Sequence, residues 1–393
     1  MSLKINLNPS LLWLLSFLIL CIVLLYPPFV FFQFVNESAR IILFACILIT
    51  LFLYQMTCYF DRKKVFKILF LWVCLFIYFI ASAVTNGMEG AKTSVGYAII
   101  LVFAVILFSI MQSENRNQFF KLMFNIYTSF FFIVPIFCIC NFLLNLVSPS
   151  FNFLTPYFSE FKYNYQVSPF GLIIPKSILG INLSRNFFFF IEPVYLALFY
   201  LINVLVIGKN VPKYSRIFIL LNVIGGLLTA SYFFFIGYVM VRFLKMSVSY
   251  KIVSILIAFF LGFVFIDTFS NFFSDSSYGE RLLRIEIALE ILKNFSNIKL
   301  FLGAGYLFDH GVAKGVSSGF FTSFIEGGLV GFLIPLVMSL IMCQGNKVLV
   351  AIVFLSLLLF EPYKLPFFWY VIVVVGSLPR EITIKKILQN NLN

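Results

Sequence analysis

Apolar residues in this chain are gathered into long unbroken blocks, with polar residues confined to the intervals between them. The blocks run 11–33, 41–60, 65–84, 95–112, 120–147, 187–207, 215–244, 252–270, 319–342, 348–361 and 366–379. Most match the roughly 20 residues that a helix needs to cross a ~30 Å hydrocarbon layer. The pattern predicts an all-α polytopic membrane protein. Its 393 residues form a single integral membrane domain, interrupted by two long polar segments at 148–186 and 271–318.

The basic residues orient those spans. Lys/Arg clusters sit at 62–67, 116–121, 209–216, 242–251, 347 and 380–386, and such clusters favour the cytoplasmic side. With Lys4 inside, the first six blocks alternate correctly, but a single crossing by 215–244 would leave Arg242, Lys245 and Lys251 outside. A break near Thr229-Ala-Ser231 removes the conflict by dividing the block into two short helices. Irregular backbone at that depth is tolerated only inside the protein. The expected count is then twelve spans with both termini cytoplasmic. Of the 28 Lys and Arg residues, 17 fall inside and 11 outside, eight of the latter in the two long segments.

Composition narrows the class. The chain is 62% hydrophobic and 11% charged, against about 45–50% and 25% in soluble domains. A formal charge of +13 would suggest nucleic acid in a soluble protein; here its placement speaks first of topology. Seven cysteines lie in or beside apolar blocks and read as small hydrophobes. With one histidine, His310, and no ligand spacing, neither a metal nor another cofactor is expected. The first block is too long for a signal-peptide core and lacks a cleavage site, so it is expected to remain as a span.

The long segments hold most of the polar information. Segment 148–186 is rich in aromatics and prolines, suggesting an ordered lid at the membrane interface, its Tyr157, Tyr163, Tyr165 and Phe170 forming an aromatic belt or facing sugar rings. Segment 271–318 contains a helix from about Tyr278 to Phe295. At 100° per residue, Glu286, Glu290 and Lys293 share its solvent arc. Arg284 falls on the opposite side among Ile287, Ala288, Ile291 and Phe295, with Arg281 at the margin. A guanidinium so placed snorkels, forms a salt bridge, or binds a phosphate bidentately.

Arg185 is expected to open the sixth span, with Glu192 two helical turns later on the same face, about 10.5 Å along the axis. Glu192 precedes Pro193, where a kink is expected. An intramembrane carboxylate there is either functional or a structural partner for a neighbouring cation. Further on, Leu302-Gly-Ala-Gly-Tyr306 leads to His310, and the tenth span begins Ser317-Ser-Gly-Phe-Phe-Thr-Ser-Phe-Ile-Glu326-Gly-Gly-Leu-Val-Gly331. His310 is an incidental loop residue or a proton acceptor. Glu326 either favours the positive end of its helix or serves chemistry, and the glycines after it admit a close neighbour.

These motifs, in this order from Arg185 to Gly331, resemble the O-antigen polymerase and ligase superfamily (Wzy and WaaL). One departure is Tyr232, where that family often carries an arginine directly after the Thr-x-Ser break. The resemblance implies a GT-C-type, metal-independent glycosyltransferase of the bacterial inner membrane with its site facing the periplasm. Its substrates would be undecaprenyl pyrophosphate-linked oligosaccharides, the growing glycan moving with inversion onto the terminal sugar of a lipid-linked repeat unit, and a chain-length regulator protein is an expected partner. It further implies Arg185, Arg284 and Arg281 at the pyrophosphate, and His310, Glu192 or Glu326 as the proton acceptor, His310 being the favoured one. An O-antigen ligase, which delivers glycan to lipid A-core, shares the motifs. A flippase for lipid-linked sugars predicts an internal repeat and charges at the midplane, and neither is visible in the sequence.

Overall fold

A computed structural model of the chain describes residues 9–26, 35–114, 116–147, 166–168, 170–178, 181–186, 188–190, 193–209, 215–247, 277–305 and 319–378. Twelve α-helices and one small sheet make up these residues. In chain order they are α1 (Pro9–Leu24), α2 (Glu37–Met56), α3 (Arg62–Gln112), α4 (Arg116–Val147), β1 (Gln166–Ser168), β2 (Gly171–Ile178) and β3 (Ile181–Asn186). There follow α5 (Pro193–Leu205), α6 (Ser215–Leu228), α7 (Tyr232–Lys245), α8 (Ser277–Lys293), α9 (Asn297–Leu302), α10 (Gly319–Met342), α11 (Lys347–Leu359) and α12 (Pro366–Gly376). Five helical segments are long and apolar enough to cross a membrane, and six shorter apolar ones accompany them. The expected span at 252–270 lies outside the described residues.

Helix α3 joins two of the expected spans, Arg62–Thr85 and Val95–Gln112. A straight helix of that length would be about 76 Å long. Yet the Glu114 amide, just past its end, donates to the Tyr59 carbonyl, just before its start, at 3.0 Å. The two arms therefore run antiparallel, and the basic residues at 62–67 and 116–121 share one end of the body. The same alternation continues inward. Tyr370 of α12 reaches the Met123 carbonyl while Phe367 meets Phe130 and Phe131, so α12 descends as α4 rises. The Gln344–Ser377 hydrogen bond at 3.0 Å joins the turn after α10 to the end of α12. This is the basic end; the opposite one is the loop end.

The long block does break at Thr229–Ser231, with Ala230 at φ 45°. A methyl on Gly208 would strike Ile219, one on Gly225 would strike Tyr200, and one on Gly237 would strike Leu201. Helix α6 thus climbs beside α5 and α7 returns beside it, which brings Arg242 back toward the end that holds Lys209 and Arg216. Both helices are 14 residues long, about 21 Å each.

Helix α12 is buried along its whole length, as an all-apolar helix in a body's centre should be. Outward, α2 and the first arm of α3 expose large apolar side chains, Phe66 at 73%, Met56 at 69% and Ile42 at 62% among them. Contiguous apolar surface of this extent is disfavoured in water and is what helices facing lipid present. Of the cysteines, Cys74, Cys138 and Cys343 are buried as expected, whereas Cys46 is exposed on α2.

The all-α expectation needs correction in segment 148–186. Strands β1, β2 and β3 form an antiparallel sheet in that order, with Val167 opposite Leu172 and Ile174 opposite Arg185. Leu172 and Ile173 are buried, and Phe170 and Phe188 set their edges against Phe137 of α4. Phe170 thus packs on the body rather than standing in a belt. Gly171 has φ 139°, and a methyl there would overlap the Phe188 backbone. Among the described residues β1 pairs with β2 as far as Ile173, so Pro175 meets only β3 there, which suits a residue without a donor.

Candidate functional site

Helix α10 is broken at Gly328, whose φ of 61° and ψ of −159° leave the helical region. The break frees carbonyls that a continuous helix would satisfy. Two amides of the Gly303-Ala304-Gly305 stretch take them: Ala304 donates to Ile325 at 2.7 Å and Gly305 to Glu326 at 3.0 Å. A methyl on Gly303 would overlap the Glu326 carbonyl, and one on Gly328 would overlap the Gly303 amide. The Gly-x-Gly is therefore a backbone splint for a broken helix. Thr85 ties the same stretch to α3 through the Leu302 carbonyl at 3.0 Å.

Beside that break lies a charged cluster. Lys364, in the 3-10 turn Pro362–Lys364 between α11 and α12, bonds Glu326 at 2.5 Å and Glu361 at 2.9 Å. The three side chains are only 13–18% exposed. Glu361 also accepts from the Ser323 hydroxyl at 3.0 Å, the Tyr363 hydroxyl lies 2.9 Å from Ser323 and 3.1 Å from Glu361, and the Lys364 ammonium stands 5.2 Å from the Tyr97 ring centre. Trp369 fixes the turn by donating to the Tyr363 carbonyl at 2.7 Å. Burial acts to lower the pKa of Lys364, but Glu361, Tyr97 and Glu326 more than offset it and hold the pKa well above the ordinary lysine value. A cleft between Tyr78, Ser82, Leu302, Gly327 and Gly331 has Glu326 in its wall.

The expected site residues are distributed as follows. Glu326 is in the cluster. Arg281 and Arg284 lie in α8, whose Ala288 and Ile291 pack with Phe321 and Ile325 of α10. Glu286, Glu290 and Lys293 face solvent as the helical projection requires. Arg185 does not open a span. It lies in β3, opposite Ile174, and the helix begins only at Pro193. Proline at the first helical position costs no hydrogen bond and bars helix in the residue before it. Arg185 and Glu192 are consequently not two turns apart on one helix. Glu192, His310, Tyr157, Tyr163 and Tyr165 lie outside the described residues. The sheet reaches the loop end through Phe190, which meets Phe367 at 6.2 Å, three residues from Lys364.

Glu361, Lys364, Tyr363, Ser323 and Tyr97 were not singled out from the sequence. Their signal is Glu361-Pro-Tyr-Lys364, two charges between apolar runs on either side, where ionisable groups need partners. Among the described residues, no group of His, Cys, Asp and Glu is arranged to hold a metal. No protein-family model matches the chain, and no curated protein matches it.

Proposed function

We propose that the protein is a membrane glycosyltransferase that polymerises lipid-linked oligosaccharides at its loop end, which faces the periplasm of a bacterial inner membrane. In this reading twelve spans form a GT-C-type body, and the growing glycan passes from undecaprenyl pyrophosphate to the terminal sugar of a lipid-linked repeat unit. The carrying observation is the gathering of the polar elements at one end: the strand with Arg185, the helix with Arg281 and Arg284, and the buried Glu326–Lys364–Glu361 cluster. A leaving pyrophosphate accumulates negative charge that arginines stabilise without a metal. The acceptor hydroxyl gives up its proton late, so one weak base suffices, with His310, Glu192 and Glu326 as the candidates.

A transport path is less well supported by the same geometry. Farther inside the body a fully buried network is neutral: Tyr127 donates to Asn203 at 2.7 Å and Asn203 to Asn222 at 2.8 Å. The deciding experiment gives purified protein synthetic lipid-linked repeat units in EDTA and resolves the products. A glycan ladder from wild type, lost in Arg185→Ala and Arg284→Ala at equal folded yield, is expected. Transfer only to lipid A-core would make it a ligase, and movement of lipid-linked sugar across vesicles without transfer would make it a flippase.

A further inference from the structure

The two carboxylates that share Lys364 are held very differently. Glu361 is saturated: Oε1 meets the hydroxyls of Ser323 and Tyr363, and Oε2 accepts from Lys364. Glu326 uses Oε2 alone, toward Lys364. Among the described residues no donor reaches its Oε1, and this is the carboxylate in the cleft wall.

Among the described residues two carboxylates face one ammonium, and Lys364 is shared between them. Glu361 offers no free oxygen to an incoming hydroxyl, because each of its two oxygens already accepts a hydrogen bond. Among the described residues, the groups that face Glu326 are Lys364, Glu361 and Tyr363 from the 3-10 turn and its flank and Tyr78 and Tyr97 from α3. Helix α8 meets α10 with apolar side chains, Ala288 among them, and the segment after α9 contributes backbone amides.

We infer that Glu326 is the general base of glycosyl transfer, positioned by Lys364, and that the cleft beside it receives the hydroxyl of the acceptor sugar. The inference rests on the transfer reading above. The acceptor oxygen bonds to the anomeric carbon as the bond from that carbon to the pyrophosphate oxygen breaks. The hydroxyl proton passes to Glu326 Oε1, and the electron pair departs on the pyrophosphate. Glu361 anchors Lys364, and the small residues Ser82, Gly327 and Gly331 leave a gap of about 10 Å³, enough for one water-sized group such as a hydroxyl.

The test measures turnover of lipid-linked repeat units against pH for the full-length wild type and three variants, together with infrared difference spectra of the carboxyl stretch without substrate. Glu326→Gln should lose at least 100-fold in turnover and lose the titrating carboxyl band, with Glu326→Asp recovering part of each. A base must be deprotonated, so activity falls on the acid side. Lys364→Gln removes a positive neighbour and should move that acid limb to higher pH. Glu361→Gln removes a negative neighbour and should move it lower. Should Glu326→Gln fail to fold, the opposed shifts still decide. Wild-type turnover with an unmoved limb in both neighbours' variants, or with full activity in Glu326→Gln, would overturn the inference and leave the transfer reading intact. No turnover from wild type at any pH, with the carboxyl band titrating as expected, would overturn the transfer reading and the base role with it.

Discussion

Tyr127, Asn203 and Asn222 in the interior join α4, α5 and α6, and Glu326, Lys364 and Glu361 at the loop end join α10 to the 3-10 turn before α12. The interior cluster is neutral and closed. Each of its side chains is fully buried, and Asn222 finishes the chain by donating to the carbonyls of Phe131 and Phe218. The loop-end cluster is charged, and one of its carboxylates stands in the wall of a cleft. Closed neutral networks hold helices together in a bilayer, whereas an ionisable group retained there needs a further reason. The contrast separates glue from chemistry, and substitutions in each cluster should separate in the same way.

The largest effect is expected on activity. Removing a positioned general base costs about 10²–10⁴-fold, so Glu326→Gln should abolish a glycan ladder at equal folded yield, while Asn222→Leu should leave the ladder's rate within a few-fold. Equal losses in the two variants, measured as initial rates of repeat-unit consumption, would break the distinction. Next comes stability. Lys364→Met leaves two carboxylates facing each other without their cation, and breaking a buried pair costs on the order of 3 kcal/mol. A thermal melt in lipid nanodiscs should show this loss, and Lys364→Met combined with Glu326→Gln should recover part of it. A double variant no better than Lys364→Met would mean that the ion pair is not what destabilises.

The splint at the helix break ranks third. Gly303 has φ 88°, and a methyl there would lie 2.2 Å from the Glu326 carbonyl. Left-handed strain plus that clash should make Gly303→Ala cost about 2 kcal/mol. Because the splint sets the backbone of Glu326 itself, turnover should fall along with the melt. Gly331→Ala meets only ordinary contact at 3.6 Å and should melt like the wild type. If it also slows turnover, the cleft receives something larger than the glycine leaves room for.

The two regions also differ in how far the amino-acid order discloses them. Spans follow from apolar length alone, and the break at Thr229–Ser231 follows from charge parity, because both are properties of contiguous residues. The solvent arc of α8 is legible for the same reason. The run Phe187–Phe190 misleads: four phenylalanines look like the start of a span, and only the rule for proline at a first helical turn moves that start to Pro193. The sheet hides behind Pro175, which marks a strand interior as improbable unless it is known that β1 stops short of it. The charged cluster is hidden by distance. Glu326 and Lys364 are 38 residues apart, and nothing in either segment names the other.

The smallest effect tests the interior cluster itself. Tyr127→Phe removes the donor that reaches Asn203 at 2.7 Å and leaves the Asn203 carbonyl oxygen short of a partner in an apolar surround. Hydrogen bonds between membrane helices average about 0.6 kcal/mol, with a maximum near 1.7, so a loss of about 1 kcal/mol in the melt is expected, with the glycan ladder unchanged. Asn203→Leu removes both of its bonds and should cost somewhat more, since Asn222 then loses an accepted bond as well. A Tyr127→Phe variant that melts normally but cannot build a ladder would place chemistry in the interior, and the division between closed glue and open carboxylate would have to be redrawn.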